Sequence, residues 1–413
     1  MMGRGMDGFA HPDFAPVAWA LRRQLRGSPG GGAVCVYHRG RCVVDVWGGV
    51  RDALGTPWTA DTMSPSFSTT KGVASTLVHV LADRGLIEYD APLARYWPEF
   101  AQAGKGAITV RHVLTHRAGL YHVRRMVDRA HRLLDWEYMI RALEHATPVH
   151  EPGTHTGYHG FTYGYLVGEL IQRVTGRRFA DVVRAELADP LALDGLYIGC
   201  PEPVLARTAK LIWPRRSVLQ LVDGRAVAAA RPAVEGIHRV LRALGVPVDV
   251  PSILDSLAPH GIGAFDFSGA DTLMASIPAA NGVFTARSLA RLYAALASGG
   301  ALDGVRLLSR ETLAHATEVQ PRAAATSVIP FDMRWRLGFH GVFTTRGIPR
   351  AAFGHFGFGG SGAWACPRRE LAVALVVNSG MGTPFGDIRI ARISAAALAC
   401  ADRHRATALA AAS

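Results

Sequence analysis

Ser68 and Lys71 stand in the spacing S-x-x-K, within Ser66-Phe67-Ser68-Thr69-Thr70-Lys71-Gly72-Val73, at what reads as the start of a helix. From Thr69 the apolar residues Val73, Ala74, Leu77, Val78, Val80 and Leu81 form a broad face, and the run closes at Asp83-Arg84-Gly85, a glycine stop signal. Three residues of separation put the hydroxyl and the amine on one face of that helix. A serine hydroxyl is a poor nucleophile until a neighbour takes its proton, and a helix N-terminus stabilises the negative charge that develops. The bland alternative is a serine that caps a helix and a lysine that faces water. Two features favour chemistry. Lys71, Lys105 and Lys210 are the lysines of a chain rich in arginine, and arginine cannot give up its proton to act as a base. The helix is also too apolar for a surface helix, which sets Lys71 beside buried material.

Other residues compete for attention. Glu151 to Gly160 form a glycine-rich loop carrying Tyr158 and leading into a helix, Phe161 to Thr175, closed by Gly176. A tyrosine there is a packing anchor or a phenol held toward a cleft. His112 and His116 are four apart, but no acidic residue completes a motif such as H-E-x-x-H, so they are expected to be structural and no metal or cofactor is expected. Gly359-Gly360-Ser361-Gly362-Ala363 lacks the last glycine of G-x-S-x-G, which discounts Ser361 as a nucleophile.

The elements that must position these groups follow from pattern. Phe14 to Arg26 predict an opening helix, and Ala33–Tyr37 with Cys42–Trp47 predict a β-hairpin. Thr109 caps a short helix through Leu114, residues Tyr121 to His145 predict helix covering the outside, and Asp181 to Leu187 continue helical. Pro201 to Gly269 loses regular period and reads as an inserted, variable cap that supplies pocket walls. Ser288 to Gly299 predicts a helix. Arg334–Phe339, Ala351–Phe356, Ser361–Cys366 and Leu371–Asn378 predict strands with short antiparallel connections, before a closing helix Ile388–Cys400. The expected fold class is α/β (α+β): residues 1–100 and 275–413 as a discontinuous domain with an antiparallel sheet flanked by helices, and 101–274 as a mostly helical second domain.

Composition narrows the partners. With 413 residues and 49% hydrophobic content the chain can bury a large core. No apolar run approaches the roughly 18 residues of a membrane span. The segment before Pro12 has no apolar stretch, so no secretory signal is expected and the cytoplasm is the default. Five cysteines without C-x-x-C spacing read as reduced thiols. The formal charge of +12 comes from scattered arginines such as Arg207, Arg215, Arg216, Arg225 and Arg231, without a nucleic-acid-binding signature, so no nucleic-acid partner is expected.

Taken in order, Ser68-Thr69-Thr70-Lys71, Tyr158-His159-Gly160 and His355-Phe356-Gly357-Phe358-Gly359-Gly360 resemble the serine β-lactamase and penicillin-binding-protein superfamily, and within it the class C-like family VIII carboxylesterases. The resemblance covers nearly the whole chain, including Asp61-Thr62, Leu114-Thr115-His116 with Gly119-Leu120, Thr162-Tyr163-Gly164, Asn281-Gly282-Val283 and Phe353-Gly354-His355. It implies a β-lactamase/transpeptidase-like fold, with Ser68 as the acylated nucleophile and Lys71 as its partner. It makes Tyr158 a base whose phenolate the Lys71 ammonium favours, and then the acid for the leaving group. A phenol of pKa about 10 must be shifted down to serve near neutrality. Lys71 and Tyr158 both stay open as the proton acceptor. The implied oxyanion hole is the N–H groups of Ser68 and Phe358. His355, Phe356, Gly357 and Gly160 would contact substrate. His355 stands where the β-lactamases have lysine, as a neutral or partly charged imidazole and a weaker carboxylate anchor.

Gly160 replaces the asparagine of the usual Tyr-x-Asn, and Phe356 replaces a hydroxyl residue; with Phe353, Phe358 and Trp364 it suggests an apolar rim. Both changes favour small-molecule esters with a hydrophobic part over β-lactams. The expected function is therefore a serine carboxylesterase acting through an acyl-enzyme on Ser68. The alternatives are an acyltransferase, then a β-lactamase or D-amino peptidase, or a homologue that binds without chemistry.

Overall fold

Period-two alternation in the strands decides which helices lie on each side of the sheet. The protein is seen here as a computed structural model that describes residues 5–213, 236, 249–380 and 388–410. Arg215, Arg216, Arg225, Arg231 and the middle of the expected insert lie outside these residues. The chain opens with β1 (Met6–Ala10), α1 (Ala15–Leu25) and the hairpin β2 (Gly32–His38) and β3 (Arg41–Gly48), then enters α2 (Thr69–Asp83). Next come α3 (Val110–Leu114), α4 (Val123–Met126), α5 (Trp136–His145), β4 (His155–Gly157), α6 (Thr162–Thr175) and α7 (Val250–Leu257). It finishes with α8 (Ala286–Ala297), β5 (Ala325–Ser327), β6 (His340–Gly341), β7 (Phe353–Phe356), β8 (Gly362–Cys366), β9 (Leu371–Val377) and α9 (Ile388–Ala410).

Among the described residues seven strands make one antiparallel sheet in the order β1-β3-β2-β9-β8-β7-β6. Strands from both ends of the chain meet where β9 pairs with β2 along Leu371↔His38 to Val377↔Gly32. One face carries Val34, Val36, Trp364, Val373 and Leu375, which pack with Phe14, Leu21, Ile390 and Ile393 of the terminal segments. The other face carries small residues, Ala33, Cys35, Ala363, Ala365, Ala372 and Ala374, which pack with α2 and α8. Small side chains on that face let the alanine-rich α8 lie close to the sheet. No helix among the described residues is long and apolar enough to cross a membrane.

The opening helix, the hairpin, the Thr109 cap, α6 with its left-handed Gly176 and the strands β7 to β9 form as the pattern predicts. Two expectations are corrected, and one element was not expected. Arg334–Phe339 is not a strand: Arg336 N–H closes a turn on the Phe339 carbonyl, and its buried guanidinium donates to the carbonyls of Thr317, Arg334 and Arg350. Only His340–Gly341 joins the sheet there. Residues 121–134 hold only the four-residue α4 and one short 3-10 helix, Ala130–Leu134, and their Val123, Ala130 and Leu133 are core; the longer amphipathic helix is α5 alone. A strand in the first ten residues, β1, pairs with β3 although its sequence carries little apolar pattern.

Candidate active site

The turn into α2 is strained. Phe67 sits at φ 45°, a left-handed conformation unusual for a bulky residue, immediately before Ser68. Thr70 Oγ1 donates to the Phe67 carbonyl and accepts from Gly282 N–H, and Ser66 N–H donates to the Gly282 carbonyl. The Asn281-Gly282-Val283 segment thus braces the turn. Ser68 occupies the cap position but makes no capping hydrogen bond. Its hydroxyl instead faces Lys71 Nζ at 3.1 Å and Tyr158 Oη at 2.7 Å.

Lys71 is fully buried, and Nζ also donates to the carbonyls of Gly160 at 2.7 Å and Ala279 at 3.0 Å. Both carbonyls are held in place. Asn281 bonds Ile277 N–H and the carbonyls of Thr272 and Ala275, fixing the turn that carries Ala279. Gly164 of α6 abuts the Pro278–Ala279 backbone so closely that a Cβ would collide with it. Burial drives the Lys71 pKa well below its ordinary value.

Tyr158 follows β4, which pairs in parallel with β5. Burial raises its phenol pKa above the usual value, opposed by the hydrogen bond to Ser68. Burial thus acts on the phenol in the direction opposite to that of a phenolate favoured by Lys71. His116, read as structural from sequence, turns out to clamp the Tyr158 turn. Its Nδ1 accepts His159 N–H, its carbonyl accepts Gly157 N–H, and its ring lies 4.7 Å from that of Tyr158. A φ of 59° at His116 was the structural cue, and spacing did not reveal it. His112 completes the α3 capping box.

The loop after β7 crosses the start of α2 because Gly357 has no side chain: a Cβ there would strike the Ser66 carbonyl. Gly357 N–H donates to the Ser361 carbonyl, and Thr69 Oγ1 donates to the same oxygen. This brings Phe358 to Phe67, with ring centroids 5.5 Å apart. Among the described residues the N–H groups of Ser68 and Phe358 serve no other acceptor. Ser361, 2% exposed, is occupied between β8 and β9, its Oγ donating to Val377 O and accepting from Val377 N–H.

His355 on β7 is buried against His340, with ring centroids 4.7 Å apart. Gly72 of α2 makes room for both His355 and Tyr293. His340 accepts Phe356 N–H at Nε2, and His355 lies by the Phe356 carbonyl at Nδ1. Burial, then His340 and Lys71, hold the His355 pKa well below 6.5, so the imidazole is neutral at physiological pH. These groups line one cavity of about 420 Å³ with Ser68, Tyr158, Gly160, Phe356, Gly357 and Phe358. No Lys, Arg, Asp or Glu side chain is among its described lining residues. Phe356 and Phe358 belong to the wall as expected, but Phe353 and Trp364 are packed in the cores on either side of the sheet. Their places are taken by Phe67, Phe161, Phe267, Phe331 and Phe343. Among the described residues no group of three or more His, Cys, Asp or Glu side chains could hold a metal ion.

The family profile described as Beta-lactamase matches residues 21–398. The chain is 39% identical over 379 residues to Esterase/beta-lactamase LipL of Mycobacterium tuberculosis (strain ATCC 25618 / H37Rv), covering 91% of this chain and 83% of that protein. Among solved structures it is similar to a penicillin-binding protein homologue from Caulobacter crescentus, with TM-score 0.79, 34% identity and 96% and 99% of the two chains covered. It is likewise similar to a family VIII carboxylesterase, with TM-score 0.78, 32% identity and the same coverage. By the family profile over residues 21–398 and by sequence along nine-tenths of its length, the chain belongs to the beta-lactamase family.

Proposed function

We propose that the protein is a serine carboxylic ester hydrolase that acylates Ser68. The observation that carries this reading is the continuous contact of the Tyr158 phenol, the Ser68 hydroxyl and the Lys71 amine, with Ser68 and Tyr158 opening onto a cavity whose described lining holds no Lys, Arg, Asp or Glu. Similarity to an esterase/beta-lactamase and to a family VIII carboxylesterase supports it.

The hydrogen-bond partners support one arrangement of the protons. A neutral Lys71 amine has two N–H bonds, which the Gly160 and Ala279 carbonyls take up, leaving its lone pair toward Ser68. The Ser68 proton then points at Lys71, while Tyr158 O–H donates to Ser68 Oγ. Burial of Lys71 favours this form. Ser68 Oγ attacks the ester carbonyl as its proton passes to Lys71, and the oxyanion is met by the N–H groups of Ser68 and Phe358. The C–O bond to the alcohol breaks, and Tyr158, which kept its proton, relays one to the departing oxygen while Lys71 supplies the replacement. Water repeats the sequence on the acyl-enzyme and releases the acid. His355, Phe356, Gly357 and Gly160 serve as substrate contacts. The division into a discontinuous α/β domain, 1–100 and 275–413, and a helical domain, 101–274, sets this cavity at the junction of the two.

The test is rapid-mixing kinetics with p-nitrophenyl butyrate. A burst of p-nitrophenolate equal to the enzyme concentration, followed by slower turnover, is expected; no release by the wild type, or full activity in Ser68→Ala, contradicts the reading.

A further inference from the structure

The first two turns of chemistry around Ser68 use α2, β4, α6 and β7, but one wall of the cavity comes from elsewhere. Ile253, Leu254, Leu257 and Ala258, on and just after α7, line it. This helix belongs to the irregular segment 201–269 and is firmly docked. Asp249 caps it through Ser252 N–H, Arg125 pairs with Asp255 at 2.7 Å, and Arg124 donates to the Ala258 carbonyl at 2.6 Å. Its last turn lies directly on Gly160. A Cβ at Gly160 would stand 2.6 Å from Leu257 Cδ2 and 2.7 Å from the Ser256 carbonyl oxygen, closer than real carbons approach. Glycine at 160 and leucine at 257 are therefore one steric arrangement: the space that a side chain at 160 would fill is taken by α7. Leu257 also packs in the small cluster that contains Tyr158, and the Gly160 carbonyl holds Lys71.

We propose that the last turn of α7, through Leu257 over Gly160, is the acyl-specificity wall of this hydrolase, restricting it to neutral acyl chains that carry no polar branch beside the carbonyl. This rests on the ester-hydrolase reading. The acyl group is the part that must remain in the cavity while the alcohol leaves, so a docked wall beside the nucleophile bears on the acyl group. Its chemistry is apolar at Leu257 and Leu254. The carbonyls that end a helix carry partial negative charge, and Ser256 O is one of them. With the Lys71 nitrogen already shared among Ser68 and two carbonyls, an acyl carboxylate finds no cation there. A branched amide finds neither room nor a side-chain donor at 160.

The experiment compares kcat/KM for p-nitrophenyl butyrate and for the p-nitrophenyl ester of N-acetylalanine, in the full chain, for wild type, Leu257→Ala and Leu257→Val. Each protein is also titrated with a fluorophosphonate. The wild type is expected to favour butyrate, and Leu257→Ala to move the ratio toward the acylamino ester by about tenfold or more, the scale of removing methylenes from an apolar pocket. Leu257→Val should move it in the same direction by less, and it serves if the alanine variant does not fold. A variant that labels and turns over with the wild-type ratio overturns the proposal while leaving the hydrolase reading intact. A wild type that neither labels nor turns over removes the hydrolase reading, and the wall with it.

Discussion

The Tyr158 phenol donates to Ser68 Oγ at 2.7 Å from a loop ninety residues further along the chain. In the proposed mechanism that bond leaves the serine proton for Lys71. Tyr158→Phe removes one proton carrier while keeping the ring packed beside His116 and Trp335. Steady-state kinetics should show kcat and kcat/KM reduced by about 10²–10⁴ with little change in KM, the range for losing a positioned acid or base. A variant within twofold of wild type would remove Tyr158 from the proton path.

Lys71 gives a pH signature. Its folded pKa lies well below 10.5 because the ammonium is desolvated, so the amine is free above that lowered value and protonated below it. Activity should fall as pH drops through the lowered pKa, and should show no further rise as pH passes 10.5. Lys71→Arg keeps a cation that cannot release its proton and should be as inactive as Lys71→Ala, down by about 10³-fold or more. An active arginine variant would mean that Lys71 acts only as a charge.

Ser361 provides the contrast. Its hydroxyl ties β8 to β9 through both backbone groups of Val377. Ser361→Ala leaves Val377 N–H buried without that acceptor, a cost of about 1–3 kcal/mol. The denaturation midpoint should fall while the acylation burst persists. A lost burst in a folded variant would make Ser361 part of the chemistry.

His116 positions rather than reacts. It holds the 157–159 turn by its carbonyl and by Nδ1, and it does so at φ 59°. His116→Ala should lower kcat with KM nearly unchanged, because Tyr158 drifts from Ser68 while the apolar cavity persists. Asparagine tolerates the left-handed region and offers an acceptor in reach of the same N–H, so His116→Asn should regain part of that kcat. Equal loss in both variants, or a loss confined to KM, would assign His116 a different role.

The sequence was most readable where local signals and burial agree. The S-x-x-K helix, the β2–β3 hairpin, α6 with its glycine stop and the three strands β7 to β9 carry local apolar and turn signals, and they form the frame that brings Ser68, Lys71, Tyr158 and His355 together. Lysine rarity was a weaker signal than it looked: Lys105 is also buried but lies outside the site, donating to the carbonyls of Gln102, Glu144 and Ala146, and Lys210 is exposed. What pattern could not reveal was decided by tertiary context. Arg336 turns inward to satisfy three carbonyls and breaks an apparent strand. Phe353 and Trp364 share the aromatic character of Phe356 and Phe358 but lie in the cores rather than on the cavity. The Tyr158 pKa moves up rather than down because the whole loop is desolvated, which no residue spacing records. The meaning of Gly160 needed Leu257, a residue in the stretch with the least periodicity.

The most direct measurement is covalent. The full chain is incubated with a fluorophosphonate, digested, and the modified residue located by peptide mass spectrometry, alongside Ser68→Ala and Ser361→Ala. A single adduct on Ser68 in the wild type and in Ser361→Ala, absent from Ser68→Ala, is the expected result. An adduct on any other residue, or none on a protein that still cleaves esters, would contradict acylation of Ser68.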